Sequence, residues 1–225
     1  MRLAIIADIH SNVVALQTIL DDIQKEGADQ ILCAGDIVGY GPRPDEAVTL
    51  LKKANVRSIK GNHDRAATLR DSSNMNLQAQ DAIWWTIDHI KKETFDYLSE
   101  LPANDRITLE GLRIGIYHGS PRHDDEYIYE EAAEEELLQE ARSELLILGH
   151  THIPYVVVLD SGTIVNPGSV GQPRDGDPRA SYVLYDHRLR RFDVRRLEYD
   201  IKAVAQDMNE KGLPEFLSMR LFSGI

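Results

Sequence analysis

Five apolar stretches in this chain each end in a small group of histidine, aspartate or asparagine residues, and that placement limits the folds open to it. Leu3 to Ala7 runs into Asp8-Ile9-His10, Ile31 to Ala34 into Gly35-Asp36, and Val56 to Ile59 into Gly61-Asn62-His63-Asp64. Ile114 to Tyr117 precedes His118, and Leu145 to Leu148 precedes Gly149-His150-Thr151-His152. Short apolar runs of this kind read as buried strands. Polar groups that follow such strands gather at one edge of an open α/β sheet, outside the carboxyl ends, where loops distant in sequence converge. Imidazoles, carboxylates and an amide collected there have the composition of a two-metal hydrolytic site.

The intervening segments agree with that topology. Ser11 or Asn12 caps a helix whose apolar residues Val13, Leu16, Ile19, Leu20 and Ile23 keep a 3.6 period, and Gly27 stands where it would stop. Pro44 and Asp45 open a second helix through Ala47, Val48, Leu50 and Leu51, so the β-α-β pattern repeats. From about 65 to 102 the pattern turns helical and reads as an inserted pair of helices beside the site. Arg106 to Leu109 and Leu112 to Tyr117 flank Glu110-Gly111 as a hairpin, and a Glu-rich helix is expected from about Glu130 to Ala141. Val156 to Leu159, Ile164-Val165, and the alternating pair Tyr182 to Tyr185 with Phe192 to Leu197 predict an antiparallel second sheet, Phe192 and Val194 facing inward. A helical segment follows from about 200 to 225. The expected architecture is an α/β fold in a single domain over 1–225, with two packed mixed β-sheets flanked by helices in four layers, α-β-β-α.

Composition removes several function classes. With 25 Lys and Arg against 37 Asp and Glu, the net charge of −12 repels nucleic-acid backbones, so no stable nucleic-acid partner is expected. No apolar run approaches the roughly 18 to 20 residues of a membrane span, and the one cysteine, Cys33, suits a reducing compartment. The expectation is a cytoplasmic protein without a membrane partner, with oligomerisation left open.

Two adjacent divalent ions, roughly 3.5 to 4 Å apart, clamp the attacking and leaving oxygens of an in-line phosphoryl displacement, and their mutual repulsion calls for a bridging anion. Mixed carboxylate, imidazole and amide ligands suit Mn²⁺, Fe²⁺, Zn²⁺, Co²⁺ or Ni²⁺, with Mn²⁺ the first choice. The ordered set Asp8-x-His10, Gly35-Asp36, Gly61-Asn62-His63-Asp64, His118 and Gly149-His150-x-His152 resembles the calcineurin-like metallophosphoesterase superfamily. Asp36-Ile37-Val38-Gly39-Tyr40-Gly41-Pro42 and Asn166-Pro167-Gly168-Ser169-Val170-Gly171 resemble its small single-domain phosphodiesterases and extend the likeness to about residue 185.

The resemblance implies a first ion on Asp8, His10, Asp36 and His152, and a second on Asp36, Asn62, His118 and His150, with Asp36 as the bridge. It implies that a hydroxide shared by both ions attacks phosphorus, that His63 protonates the leaving alkoxide, and that Asp64 orients His63. Positioned acid catalysis of this kind contributes about 10² to 10⁴-fold.

Outside these motifs, Ser169 in its Pro and Gly-rich turn, Arg174 nearby, and His123 soon after His118 are candidates for substrate binding. Gly176, Asp177 and Pro178 mark the loop beyond Arg174 as mobile. Cys33 reads as a buried small hydrophobe, Trp84 and Trp85 as helix packing, and the glutamates around 130 to 136 as a solvated face. The sequence therefore predicts a metal-dependent phosphoesterase, foremost a phosphodiesterase acting on a small phosphate ester or nucleotide. The alternatives are a serine/threonine protein phosphatase, a dinucleoside polyphosphate hydrolase, or a non-catalytic metal-bound interaction scaffold.

Overall fold

The structure, a computed structural model, describes residues 1–225. Strand β1 (Arg2–Ile6) leads through helix α1 (Val13–Glu26) to β2 (Gln30–Cys33), and α2 (Pro44–Lys53) leads to the short β3 (Arg57–Ser58). The Asn12 side chain accepts the Ala15 N–H and Gly27 closes α1 at φ 68°, so both ends of this helix are set by the residues the pattern singles out. Three helices follow, α3 (Asn62–Leu69), α4 (Leu77–His89) and α5 (Lys92–Glu100). Only a pair is legible in the sequence, because the first turn of α3 is made of Asn62, His63, Asp64 and Arg65, polar residues that hide its period.

The second sheet begins with the hairpin β4 (Asn104–Leu109) and β5 (Leu112–Tyr117), whose turn residues Glu110 and Gly111 both have positive φ. A 3₁₀ turn at Glu130–Ala132 precedes α6 (Glu135–Ala141), and β6 (Leu145–Ile147), β7 (Pro154–Val158) and β8 (Thr163–Pro167) complete that sheet in the order β4-β5-β6-β8-β7. The chain then crosses over. β9 (Ala180–Asp186) and β10 (Arg191–Leu197) do not join the second sheet as expected but extend the first, giving β10-β9-β1-β2-β3 with β9 antiparallel to β1. The crossing is pinned where the Val170 and Gly171 N–H groups donate to Ala7 and Asp8 carbonyls, which carries β9 past the second sheet to β1. Phe192 stacks on Tyr185 and helps fill the interior, whereas Val194 on the edge strand is 41% exposed, contrary to the inward placement its alternation predicts.

Two faces of β1 serve two cores. Leu3, Ile5 and Ala7 meet Ile114, Ile116, Leu145 and Ile147 between the sheets, while Ala4 and Ile6 meet Leu16, Ile19 and Leu51 under the helices. On the far side, Leu137, Leu138 and Ala141 of α6 cover Leu146, Leu148 and Ile164. The layers are thus α-β-β-α. The last two helices, α7 (Ile201–Glu210) and α8 (Glu215–Arg220), lay Met208, Leu213, Leu217 and Leu221 against Ala79, Ala82 and Tyr40. No helix is long and apolar enough to cross a membrane.

Ile5 is fully enclosed between the sheets. Ile5→Ala is expected to cost about 2 to 5 kcal/mol, lowering Tm by roughly 5 to 15 °C in a chain of this length, as read by thermal denaturation. A change within about 2 °C would mean that the sheets do not press on this position.

Candidate metal centre and active site

The strands β1, β2, β5, β6 and β8 deliver their carboxyl ends to one edge, and β3 delivers the start of α3. Past the strands the loops stay laced together: Asp8 N–H donates to Gly35 O, His10 N–H to Asp36 O and Ser11 N–H to Ile37 O, all at 2.9 to 3.0 Å. The backbone there is bent unusually. Asp8, His10, Asp36, His150 and His152 all have φ between 48° and 69°, a conformation that costs non-glycine residues about 1 to 3 kcal/mol each and concentrates at functional sites. Gly61 packs so tightly on Asp36 that any Cβ would overlap its carboxylate. Asp36 Oδ1 accepts the His63 N–H at 2.8 Å, so this carboxylate is fixed from below.

Two groups of donor atoms result. In the first, His10 Nδ1 donates to the Val38 carbonyl (3.2 Å) and His152 Nδ1 to that of Gln172 (2.5 Å), leaving both Nε2 lone pairs free. Those Nε2 atoms face each other at 3.1 Å. Asp8 Oδ1, buried without any hydrogen-bond donor, lies 3.4 Å from His152 Nε2 and 3.9 Å from His10 Nε2. Two lone pairs and a bare carboxylate oxygen brought this close repel one another unless a cation is shared among them, so the set fits a divalent ion. In the second group His118 Nδ1 donates to Ala34 O (2.8 Å), and its Nε2 is 3.0 Å from Asn62 Oδ1 and 3.1 Å from His150 Nδ1. Asp36 Oδ2 joins the groups, 3.3 Å from His118 Nε2 and 3.7 Å from His10 Nε2. The seven residues expected to hold metal are therefore brought together.

Without cations, protons must balance this cluster. Burial, aided by the Asp36 charge, pushes the Asp8 carboxyl up to about 8. Burial opposes ionisation of Asp36 too, but His118 and His63 outweigh it and hold Asp36 well below the usual carboxylate range. For His118 burial is likewise overcome, by the charge and hydrogen bond of Asp36, raising it to about 10. Burial keeps His10 and His152 neutral, far below the ordinary histidine range, and lowers His150 to about 3 and His63 to about 4.

His63 is buried against Tyr40 (4.5 Å between ring centres) and His10 (4.8 Å), with its Nδ1 unpartnered beneath Gly39, where a Cβ would strike the ring. Asp64 does not meet it. The Asp64 carboxylate accepts the N–H groups of Ile37 (2.9 Å), Val38 (3.0 Å) and Gly61 (3.0 Å), tying the loop after β2 to the start of α3. At the third position of a helix a carboxylate reaches back to the free N–H groups of the first turn, which is what occupies Asp64. Burial, together with the charge of Asp36, raises it to about 6, so it is ionised at neutral pH.

Of the other candidates, Arg174 reaches the site: its guanidinium donates to Gln172 Oε1 (3.1 Å) and the Tyr40 hydroxyl (3.4 Å) and lines the cavity at the metal groups. Its loop is held, not loose, since Asp175 pairs with Arg196 and the Gly176 N–H donates to Gly224 O. The Ser169 hydroxyl is used inside the fold; its Oγ donates to Asp8 O and accepts the Gln172 N–H, both at 2.7 Å, and the amides of Gly168, Val170 and Gly171 in its turn are likewise taken. His123 is exposed on a neighbouring polar hollow and lies outside the cavity. Tyr40 and Tyr127 were not singled out in the sequence, yet both line the cavity, Tyr127 with its ring 3.9 Å from that of His150. The glycines on either side of Tyr40 were the available signal for the first, and none marked the second.

These features define a buried cluster of residues able to hold divalent ions on the shared edge of two mixed sheets. The chain belongs to the calcineurin-like phosphoesterase superfamily, whose domain model matches residues 1–189. It is 37% identical over 240 residues to an uncharacterised protein of Methanocaldococcus jannaschii, covering 99% of this chain and 98% of that one. The crystal structure of a metallophosphoesterase from Sphaerobacter thermophilus superposes with a TM-score of 0.85 at 39% identity, over 100% of both chains. The phosphodiesterase YfcE of Escherichia coli is 26% identical over 199 residues, 83% of this chain and 88% of its own.

The titrations have a consequence for the metal-free protein. Below the unfolded histidine value of 6.5, the unfolded chain gains protons at His10, His63, His150 and His152 that the folded chain refuses. Their contribution is present above 6.5 and lost as the pH falls. Asp8 and Asp64 act oppositely, since folding raises them from 3.8 to about 8 and about 6, and so does His118, raised to about 10, though its effect fades once the unfolded chain is itself protonated below 6.5; the four lowered histidines outweigh these three. Chelator-treated protein should lose Tm between pH 6.5 and about 5, and a flat or rising Tm would contradict this proton balance.

Proposed function

We propose that this protein is a dinuclear metal-dependent phosphodiesterase, using Mn²⁺ in preference to other divalent ions, that hydrolyses a small phosphate diester. The observation that carries the reading is the position of Asp36 Oδ2, which faces both donor groups at once, 3.3 Å from His118 and 3.7 Å from His10. Asp8, His10, Asp36 and His152 would hold one ion, and Asp36, Asn62, His118 and His150 the other. When bound, such ions neutralise the phosphoryl oxygens and bring the pKa of a water from 15.7 to about 7.

The remaining work falls to the chain itself. His63, with Nδ1 buried, has Nε2 left to serve the cavity, and its role is to carry a proton to the leaving oxygen as the phosphorus–oxygen bond breaks. Neutral in the free site, it takes up that proton beside an anionic substrate, whose charge favours the imidazolium. Arg174 supplies a charged hydrogen bond to a non-bridging oxygen. Asp64 acts as a positioning residue, holding the α3 terminus and with it the His63 N–H to Asp36 bond.

The cavity favours a small substrate over the alternatives. It holds about 230 Å³ and is walled by Leu69, Asp71, Asn74 and Met75 on the helical side, a half-enclosed hollow whose size suits a small ester better than a folded protein's surface. Away from the metal groups its only other arginine, Arg65, is paired with Asp125 (2.5 Å), and Asp71 adds negative charge, so a polyphosphate chain would find repulsion there. The complete ligand set and the acid support turnover over a scaffold role.

Chelator-stripped protein reloaded with Mn²⁺ should cleave a bis-aryl phosphate faster than the matching monoester, and dominant monoester cleavage would make it a phosphatase instead. His63→Ala should keep both metals by elemental analysis while kcat falls about 10² to 10⁴-fold; loss of metal in His63→Ala together with kcat would remove it from acid duty. Arg174→Ala should raise KM about tenfold or more with kcat little changed, in line with a charged hydrogen bond. An unaltered KM would return Arg174 to a supporting part.

A further inference from the structure

The segment between the turn at Ser120 and the 3₁₀ turn at Glu130 holds two large aromatic side chains out of the core. Ile128 is 2% exposed, packed in the cluster with Leu137 and Leu138, and its carbonyl accepts the Tyr155 hydroxyl at 2.8 Å. In an extended chain the residues on either side of an inward side chain point outward. Tyr127 and Tyr129 are accordingly 49% and 47% exposed, with ring planes within 14° of each other and centroids 6.3 Å apart. The Tyr127 ring lies 3.9 Å from the His150 imidazole at 30°. A row of three planar rings therefore leads from the second donor group to the surface, and the buried Ile128 anchor holds it in place.

The surroundings define what such a row would take. Two of the arginines beside it are already matched, Arg65 with Asp125 and Arg122 with Glu126, which leaves Arg174 as the cation for the phosphate and no further cation for the arm. The cavity beside Tyr127 also carries the apolar side chains of Leu69 and Met75 and the exposed amide of Asn74, which has no hydrogen bond within the protein. A ring with an apolar face and hydrogen-bonding edges matches that lining, and Tyr127 itself lies against His150, one of the residues proposed for the second ion.

We propose that Tyr127 and Tyr129 form a stacking platform for a nucleobase, so that the preferred substrate is a phosphodiester with a nucleoside arm. The proposal rests on the phosphodiesterase reading above and adds the chemical class of the arm. The platform discriminates between esters that share a leaving group and differ only in the part that is retained.

The test uses the full chain loaded with Mn²⁺ and two diesters with one leaving group, thymidine 5′-(p-nitrophenyl phosphate) and ethyl p-nitrophenyl phosphate. The wild-type protein should favour the nucleoside ester in kcat/KM by about 5- to 150-fold, the range of one base–aromatic stack. Tyr129→Leu and Tyr127→Leu should bring that ratio toward one, chiefly through KM, while Tyr129→Phe and Tyr127→Phe keep it. A ratio near one in the wild type, or one unchanged in both leucine variants, overturns the platform. If neither ester is cleaved, the phosphodiesterase reading fails separately, and calorimetric titration decides the platform: AMP should bind more tightly than inorganic phosphate in the wild type and lose that advantage in Tyr129→Leu, and equal affinities overturn it.

Discussion

The site depends on one carboxylate that cannot move. Asp36 is buried, its Oδ1 is held by the His63 N–H, and Gly61 leaves no room behind it. With one oxygen tied down, the other is fixed between His10 and His118, which belong to different sheets. An ionised group in such surroundings is costly unless cationic partners surround it. In the metal-free chain the protonated imidazole of His118 supplies that partner while His10 stays neutral, and divalent ions would supply it more fully.

That geometry explains why two sheets are needed. β1, β2 and the start of α3 bring Asp8, His10, Asp36, Asn62 and His63, whereas His118, His150 and His152 follow β5 and β6. The apolar layer between the sheets, from Leu3 and Ile5 across to Ile116 and Ile147, sets how closely those two sets meet. The loop from Asn166 to Gly171 then locks the edge: Asn166 Nδ2 donates to Gly149 O, and the Ser169 hydroxyl to Asp8 O. Left-handed backbone at five of the donor residues persists because these cross-bonds determine it from both sides.

Much of this was legible in the sequence, and the misses share a cause. Strand ends followed by His, Asp or Asn marked the seven residues that the fold brings together at one edge, since both apolar period and side-chain chemistry are local properties. β9 and β10 were recognisable as strands but were assigned to the other sheet, because alternation reports which face is buried and says nothing of which strand lies alongside. Asp64 adjoins His63 in sequence, yet helix geometry turns its carboxylate back toward Gly61, Ile37 and Val38. Ser169 was chosen for its Pro and Gly-rich turn, whose hydroxyl the fold consumes, and Tyr127 was passed over because a loop residue carries no period to mark the ring beside His150.

The most direct test of a centre bridged by Asp36 is a titration of the chelator-stripped full chain with Mn²⁺, followed by electron paramagnetic resonance. Two ions held a few ångströms apart by one carboxylate couple magnetically, so the account predicts saturation at two Mn²⁺ per chain with a spin-coupled spectrum. Saturation at one ion per chain, or two ions with uncoupled spectra, would contradict it.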